Sequence, residues 1–374
     1  MNKKGSIKFS FIRGLVAILI ALAVSYLLIL MSNGGSFSDA LDSLRYMLVQ
    51  PVMKKNGFNS KGLTDIMALM VPTMFTGLAT CMMFSANQFN LGSEGGIMLG
   101  AFVGALVAIY CPVPAPFLQI AAIGAAAGAV AAVLWLPAFL KAKFGISEMV
   151  KSLMMNYVIM YVIRFLLNTF FADTSKGAVQ TKNFREGSAL PLLINNGSGL
   201  SVGFIIAIAT VIFVWFLMYR TKLGYGIRMV GINQQFTRYS GLNVVLIVIL
   251  CQVIGGALAG GGGAIEMLGR NSYYNWQQQP GYGWDGITVA ILAGNNPAYV
   301  PLAAFFMAYL NKGCEMMSVY TGVPAQLIDI IQAVIFLFFA AKEFLARYRQ
   351  RLVVKSAEEE SAALQKAGKE GGES

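Results

Sequence analysis

Residues 87–96 read NQFNLGSEGG. A carboxylate, Glu94, stands there among two asparagines, a glutamine and small residues, and long apolar runs lie on both sides. The runs decide the solvent. Of 374 residues, 57% are hydrophobic and only 12% are charged, against roughly 25% charged in a soluble domain. Lipid in place of water explains the missing charge. A β-barrel would show ~10-residue alternating segments, and these runs are unbroken. The fold class expected is an all-α polytopic membrane protein, with about 8–10 transmembrane or re-entrant helices.

Runs near the ~20 residues a spanning helix needs occupy 14–31, 66–86, 95–111, 116–140, 152–171, 200–219, 242–268 and 325–341. Two shorter pieces, 287–294 and 299–310, form either a re-entrant pair or two tilted spans. The expected division is a cytoplasmic arm, 1–13, one transmembrane domain, 14–341, and a charged, solvated cytoplasmic tail, 342–374. The N-terminus is basic, then apolar, like a signal peptide. The apolar run is 18 residues, and no small-x-small cleavage site follows, so a retained helix is expected.

Lysine and arginine orient the spans. They cluster in the N-terminal arm, near 141–151, at 220–238 and from Lys342 onward. All four segments should be cytoplasmic, with both termini inside the cell membrane. Alternating the spans from an inside N-terminus gives the same assignment.

Composition also excludes chemistry. The net charge of +11 collects at the ends of apolar runs, which argues for membrane orientation over nucleic acid. There is no histidine, and the four cysteines, at 81, 111, 251 and 314, form no CxxC. Catalytic triads are therefore excluded, and metal sites and disulfides are not expected. No G-x-x-x-x-G-K-[ST] loop occurs, so ATP and Mg, if used, belong to a partner, and no cofactor is expected in this chain.

Two polar breaks resemble each other. Gly92, Glu94, Gly95 and Ile97 match Gly283, Asp285, Gly286 and Ile287. Each opens an apolar helix with an acid in its first turn, where a carboxylate complements the helix dipole. Glycines permit unwound backbone and close helix contact. Paired helix breaks are typical of transport folds, with the irregular backbone lining an enclosed cavity. Asn87, Asn90, Glu94, Asn156 and Asp285 are the candidate pathway residues. The plainer reading is that Glu94 and Asp285 cap their own helices, and Asn156 is read first as a helix-packing hydrogen bonder. Span counting puts 87–96 near the cytoplasmic side, unless a broken helix holds it nearer the bilayer middle.

Further segments are distinctive. GGALAGGGGAIEMLGR (255–270) carries small residues four apart, suited to close helix packing, and Arg270 is placed to pair with Glu266. Arg164, Glu315 and Asp329 are also expected to serve structure. The segment NSYYNWQQQPGYGW (271–284) is either an interfacial aromatic belt or a lip over a vestibule. Between Gly231 and Gly241, residues 232–240 suit a short helix on the membrane surface.

That last segment, VGINQQFTRYSGLNV, resembles the coupling segment of ABC importer permeases of the ribose and branched-chain amino-acid superfamily. NQFNLGSEGGIMLGAF, KAKFGISEMVKSLMMNYV, GGALAGGGGAIEMLG and GYGWDGITVAILAGNNP resemble its nucleoside-type branch, in the same order over roughly residues 60–341. The resemblance implies a permease subunit that imports nucleosides. Its partners would be cytoplasmic ATPase subunits, a second similar or identical permease and an extracytoplasmic solute-binding lipoprotein. It implies ATPase coupling through Gly231, Ile232, Asn233, Arg238, Tyr239 and Gly241, although Phe236 and Thr237 stand where the family usually carries two small residues. Gly92, Gly95, Gly283 and Gly286 would be the helix-break glycines. Alternatives are a sugar or amino-acid permease of the same superfamily, or an ion-coupled secondary transporter using Glu94, Glu266, Asp285 and Asp329. Glu94→Ala is expected to abolish uptake with normal membrane assembly.

Overall fold

The computed structural model describes residues 37–54, 57–144, 148–194 and 197–321, with isolated positions in 23–30 and at 330 and 333. The expected first and last spans, the terminal arm and tail, and Asp329 lie outside these residues or almost wholly so. The chain divides into two units, residues 46–316 and residues 1–45 with 317–374. Of the smaller unit, the start of helix α1 (Phe37–Leu48) is described, where Ser43 Oγ donates to Asp39 O.

The larger unit is helical. A two-residue antiparallel pair, Met53–Lys54 with Gly57–Phe58, leads into α2 (Ser60–Ser85). There follow α3 (Ser93–Tyr110), α4 (Phe117–Phe144) and α5 (Glu148–Leu166), the last extended by a π-turn at Leu167–Phe171. Then come α6 (Gly203–Arg220), α7 (Lys222–Ile232), α8 (Gln234–Tyr239), α9 (Val244–Arg270), α10 (Tyr282–Leu292) and α11 (Val300–Thr321). Among the described residues, α2, α3, α4, α5, α6 and α9 are long and apolar enough to cross a membrane. They coincide with the six central runs read from the sequence.

The core is built where α9 meets α2, α3 and α4. Small residues permit it. A Cβ on Gly100 would fall 2.1 Å from Gly260 O, and one on Gly263 would fall 2.1 Å from Ile97 O. Gly96, Gly100 and Gly104 repeat at four-residue spacing along the α3 side of this contact. On the other side of α9, Gly256 and Gly260 press on Val130 and Leu134 of α4. Lipid offers no hydrophobic drive to join helices, so close backbone packing must supply the association.

Side-chain caps start several helices. Asn59 accepts from Gly62 N, Thr221 from Gly224 N, Asn233 from Phe236 N and Asn243 from Leu246 N. Helices α3 and α10 differ. Their N-cap positions are Gly92 and Gly281, with no side chain to offer.

Their starts lie deep. Ser93 Oγ is 3.1 Å from Thr80 Oγ1, and a Cβ on Gly286 would meet Thr76 Oγ1. Thr76 is nine residues before the end of α2, or roughly 13 Å at 1.5 Å per residue, near the middle of a ~30 Å hydrocarbon layer. From the end of α2, the chain folds back over 86–92 and α3 departs toward the opposite face. From the far end of α9 it folds back over 271–281, and α10 departs the other way, so that Asn295 O meets Ser85 Oγ at 3.3 Å. The two breaks are thus inverted copies of one path, the arrangement common in transport folds.

The two short apolar pieces belong to a broken pair. Helix α10 and the Pro297–Thr321 segment meet at 114°. At 11 residues, α10 spans about 16 Å, half the layer. Helix α11 then runs back beside α2, with Val300 near Gly77 and Lys312 3.1 Å from Asp65.

Candidate solute pathway and coupling surface

The two inverted breaks touch. Glu94, fully buried, directs both carboxylate oxygens at the start of α10: Gly281 N donates to Oε1 at 2.6 Å and Gly283 N to Oε2 at 2.5 Å. Gly281 has φ +88, and a Cβ on Gly283 would fall 2.3 Å from Glu94 N, so both positions require glycine. Glu94 therefore caps α10 and not its own helix, as the sequence had suggested. Two helix N-termini with opposite directions converge on one carboxylate, whose charge complements both dipoles.

Helix α3 is held from outside itself. Gly95 N donates to Asn156 Oδ1 at 2.9 Å, and Asn156 Nδ2 returns a bond to Leu91 O at 2.9 Å. Leu91 N donates to Ser152 Oγ, and Gly92 N to Asn90 Oδ1. Asn90 Nδ2 bonds Gln252 Oε1 at 3.0 Å, and Gln252 Nε2 bonds Gln88 Oε1 at 2.7 Å. This buried amide chain ties 88–92 to α9. A low-dielectric interior makes such a network rigid when its members are satisfied. Sequence reading found Asn90 and Asn156 but not Ser152, Gln88 and Gln252. Gln252 is a lone polar residue in an apolar run, which is also how ordinary packing bonds look, and nothing sets Gln88 or Ser152 apart from the polar residues beside them.

Asp285 departs from its counterpart. It does not reach back to Gly92; its Oδ2 accepts from Asn311 Nδ2 at 2.8 Å. The motifs are alike in sequence and inverted in path, but their acids do different work. Asn87 is exposed in a left-handed turn, φ 54, just past α2.

The other segments resolve in the same terms. Arg270 Nη1 bonds Glu266 Oε1 at 3.0 Å, as the i,i+4 spacing suggested, and Tyr282 joins them. Glu315 pairs with Lys312. Arg164 is exposed and makes no ion pair among the described residues. In the 271–284 stretch Tyr273, Trp276 and Tyr282 are half-buried and Trp284 is exposed. Tyr274 is fully buried among Phe102, Ile163 and Met267, and the Trp276 ring packs, tilted, between those of Tyr274 and Tyr282.

The short surface helix is α8, six residues rather than nine. Gly231 and Ile232 instead end α7, and a Cβ on Gly231 would strike Ser85 O at 2.0 Å, so α7 sits hard on the end of α2. Asn233 is the C-cap of α7 and the N-cap of α8. Gly241, at φ +80, follows α8. Ile232 is 79% exposed and Tyr239 89%, and Phe236, one turn before Tyr239 on α8, is exposed as well. Beside them, Gln234, Arg238, Leu242 and Asn243 line a groove of about 510 Å³.

A multi-pass helical protein with paired inverted breaks and a protruding surface helix is a membrane transport protein in architecture. Residues 62–340 match the family model described as the branched-chain amino acid transport system / permease component. The chain belongs to this family of ABC permeases. It is 31% identical to a glucose ABC transporter permease protein of Haloferax volcanii, over 89% of this chain and 88% of that one. It is 34% identical to the guanosine ABC transporter permease protein NupP of Bacillus subtilis, over 72% and 78%. It is 27% identical to the nucleoside ABC transporter permease protein NupB of Lactococcus lactis, over 76% and 80%. No solved structure matches.

Proposed function

We propose that this chain is the permease subunit of an ATP-driven importer that moves nucleosides inward by alternating access. The observation that carries this reading is the family match, which spans both inverted breaks and the α7–α8 surface. The guanosine and nucleoside relatives support the solute class. In this reading α7 and α8 face the cytoplasm and receive the ATPase, which holds ATP and Mg. An extracytoplasmic binding protein delivers solute to the opposite face, and a second permease completes the path. Both chain termini lie inside.

Nucleotide acts by preferring one permease state, since a ligand shifts an equilibrium only by its differential affinity. The contact of Gly231 with Ser85 supports transmission from α7 to α2, and so to the junction at Glu94. The test is reconstitution in proteoliposomes with the ATPase and binding protein. ATP-dependent uptake of labelled guanosine is expected. Uptake by this chain alone on an ion gradient would overturn it. A second reading, sugar import, is favoured by the glucose permease relative, and glucose uptake by the same complex would select it.

A further inference from the structure

Helix α10 has two faces. Gly283, Gly286, Val289 and Ala290 are buried. Trp284, Asp285, Thr288 and Ile291 lie on the other, where Trp284 is 37% exposed and Asp285 half-buried. This second face is open, and it starts at the depth of Thr76, near the middle of the layer. Asp285 keeps one bond, from Asn311 to Oδ2; its Oδ1 has no hydrogen-bond partner among the described residues.

Ionisable groups at that depth face a protein interior or water, because lipid cannot solvate them. The exposed face of α6 offers the contrast. Ile205, Ile212, Phe213 and Phe216 are all apolar there, as a lipid-facing surface requires. A carboxylate on the open side of a half-helix marks that side as wet.

We propose that Trp284, Asp285 and Thr288, with Asn311 behind them, form the wall that touches the solute. The wall fits an uncharged nucleoside and rejects a nucleotide. This rests on the importer reading above. The indole supplies a flat face for a base. Asp285 Oδ1 accepts from a base N–H or a ribose hydroxyl, and the Thr288 hydroxyl adds an acceptor beside it. The same carboxylate repels a phosphate. Glu94, spent on Gly281 and Gly283, holds the wall in place without touching the solute.

The test uses the complete complex in proteoliposomes. Thr288→Cys and Ile212→Cys are made separately on a Cys111→Ser background and treated with a charged methanethiosulfonate reagent. Thr288→Cys is expected to react, and more slowly with guanosine-loaded binding protein and ATP present. Ile212→Cys is expected to stay unreacted. Reaction at position 288 no faster than at 212 overturns the wall, and this readout needs no uptake. Asp285→Asn should cut guanosine uptake about tenfold, the worth of one hydrogen bond to a charged group. Unchanged guanosine uptake by that variant overturns the contact at Asp285. Wild-type uptake of glucose and not guanosine would overturn the nucleoside class, while the labelling still judges the wall.

Discussion

Glu94 and Gly283 are fastened twice. The Gly283 N–H donates to Glu94 Oε2 at 2.5 Å, and the glycine lies so close that a Cβ would fall 2.4 Å from the Glu94 Cα. The carboxylate of one helix break is thus the cap of the other. Removing it leaves the buried Gly283 N–H unpaired, at ~1–3 kcal/mol, and the half-buried Gly281 N–H without its acceptor.

Glu94→Ala should therefore lose both uptake and folded stability, a revision of the sequence-based expectation of normal assembly. Glu94→Gln keeps one acceptor oxygen and should fall between. Thermal melting of the detergent-solubilised protein would check this. An Ala variant as stable as wild type would show that the clamp is dispensable.

The α3–α9 contact gives a second prediction. Gly100→Ala and Gly263→Ala each drive a methyl into backbone 2.1 Å away, which helix separation alone can relieve. Both should lower the melting temperature sharply or prevent assembly. Gly124→Ala on α4 has nothing within 4 Å and should be neutral or slightly stabilising, since alanine favours the helix by roughly 0.5–1 kcal/mol. Equal behaviour of the three variants would contradict the packing.

Much of this architecture was legible. Apolar run length alone placed α2 to α6 and α9, because lipid demands internally satisfied helices of fixed length. The clustered glycines marked α9 as a packing helix. Three things were not legible. The partner of Glu94 lies 187 and 189 residues away, and first-turn position suggests a local cap with equal force. The inverted relation of the breaks depends on chain direction in space, which the matched residues do not carry. Tyr274 looks in sequence like any interfacial aromatic, and only the fold-back of 271–281 buries it.

Tyr274 carries the third prediction. Its hydroxyl is buried in an apolar cluster and has no hydrogen-bond partner among the described residues. A buried polar group without a partner costs free energy, on the order of 1–3 kcal/mol. Tyr274→Phe should keep the ring contacts with Phe102 and Trp276 and raise the melting temperature. A clear loss of stability would mean that the hydroxyl is bonded.

The last prediction concerns the surface of α7 and α8. Phe236 and Tyr239 lie one turn apart on α8, Ile232 ends α7, and all three side chains are exposed. Surface substitutions of this kind usually change stability by less than about 0.5 kcal/mol. Tyr239→Ala and Phe236→Ala should therefore leave the melting temperature of the isolated permease unchanged. If this stripe receives the ATPase, the same variants should lose co-purification with it, since exposed aromatics at an interface carry much of its energy. Asn233→Ala should act differently. It removes the cap of α8, worth ~1 kcal/mol, and should speed hydrogen exchange at Phe236 N while leaving the stripe's chemistry intact. Its ATPase binding should weaken less than that of Tyr239→Ala. Full ATPase binding by Tyr239→Ala and Phe236→Ala together would remove these two side chains from the coupling surface and leave the groove beside them, at Gln234, Arg238 and Asn243, as a candidate.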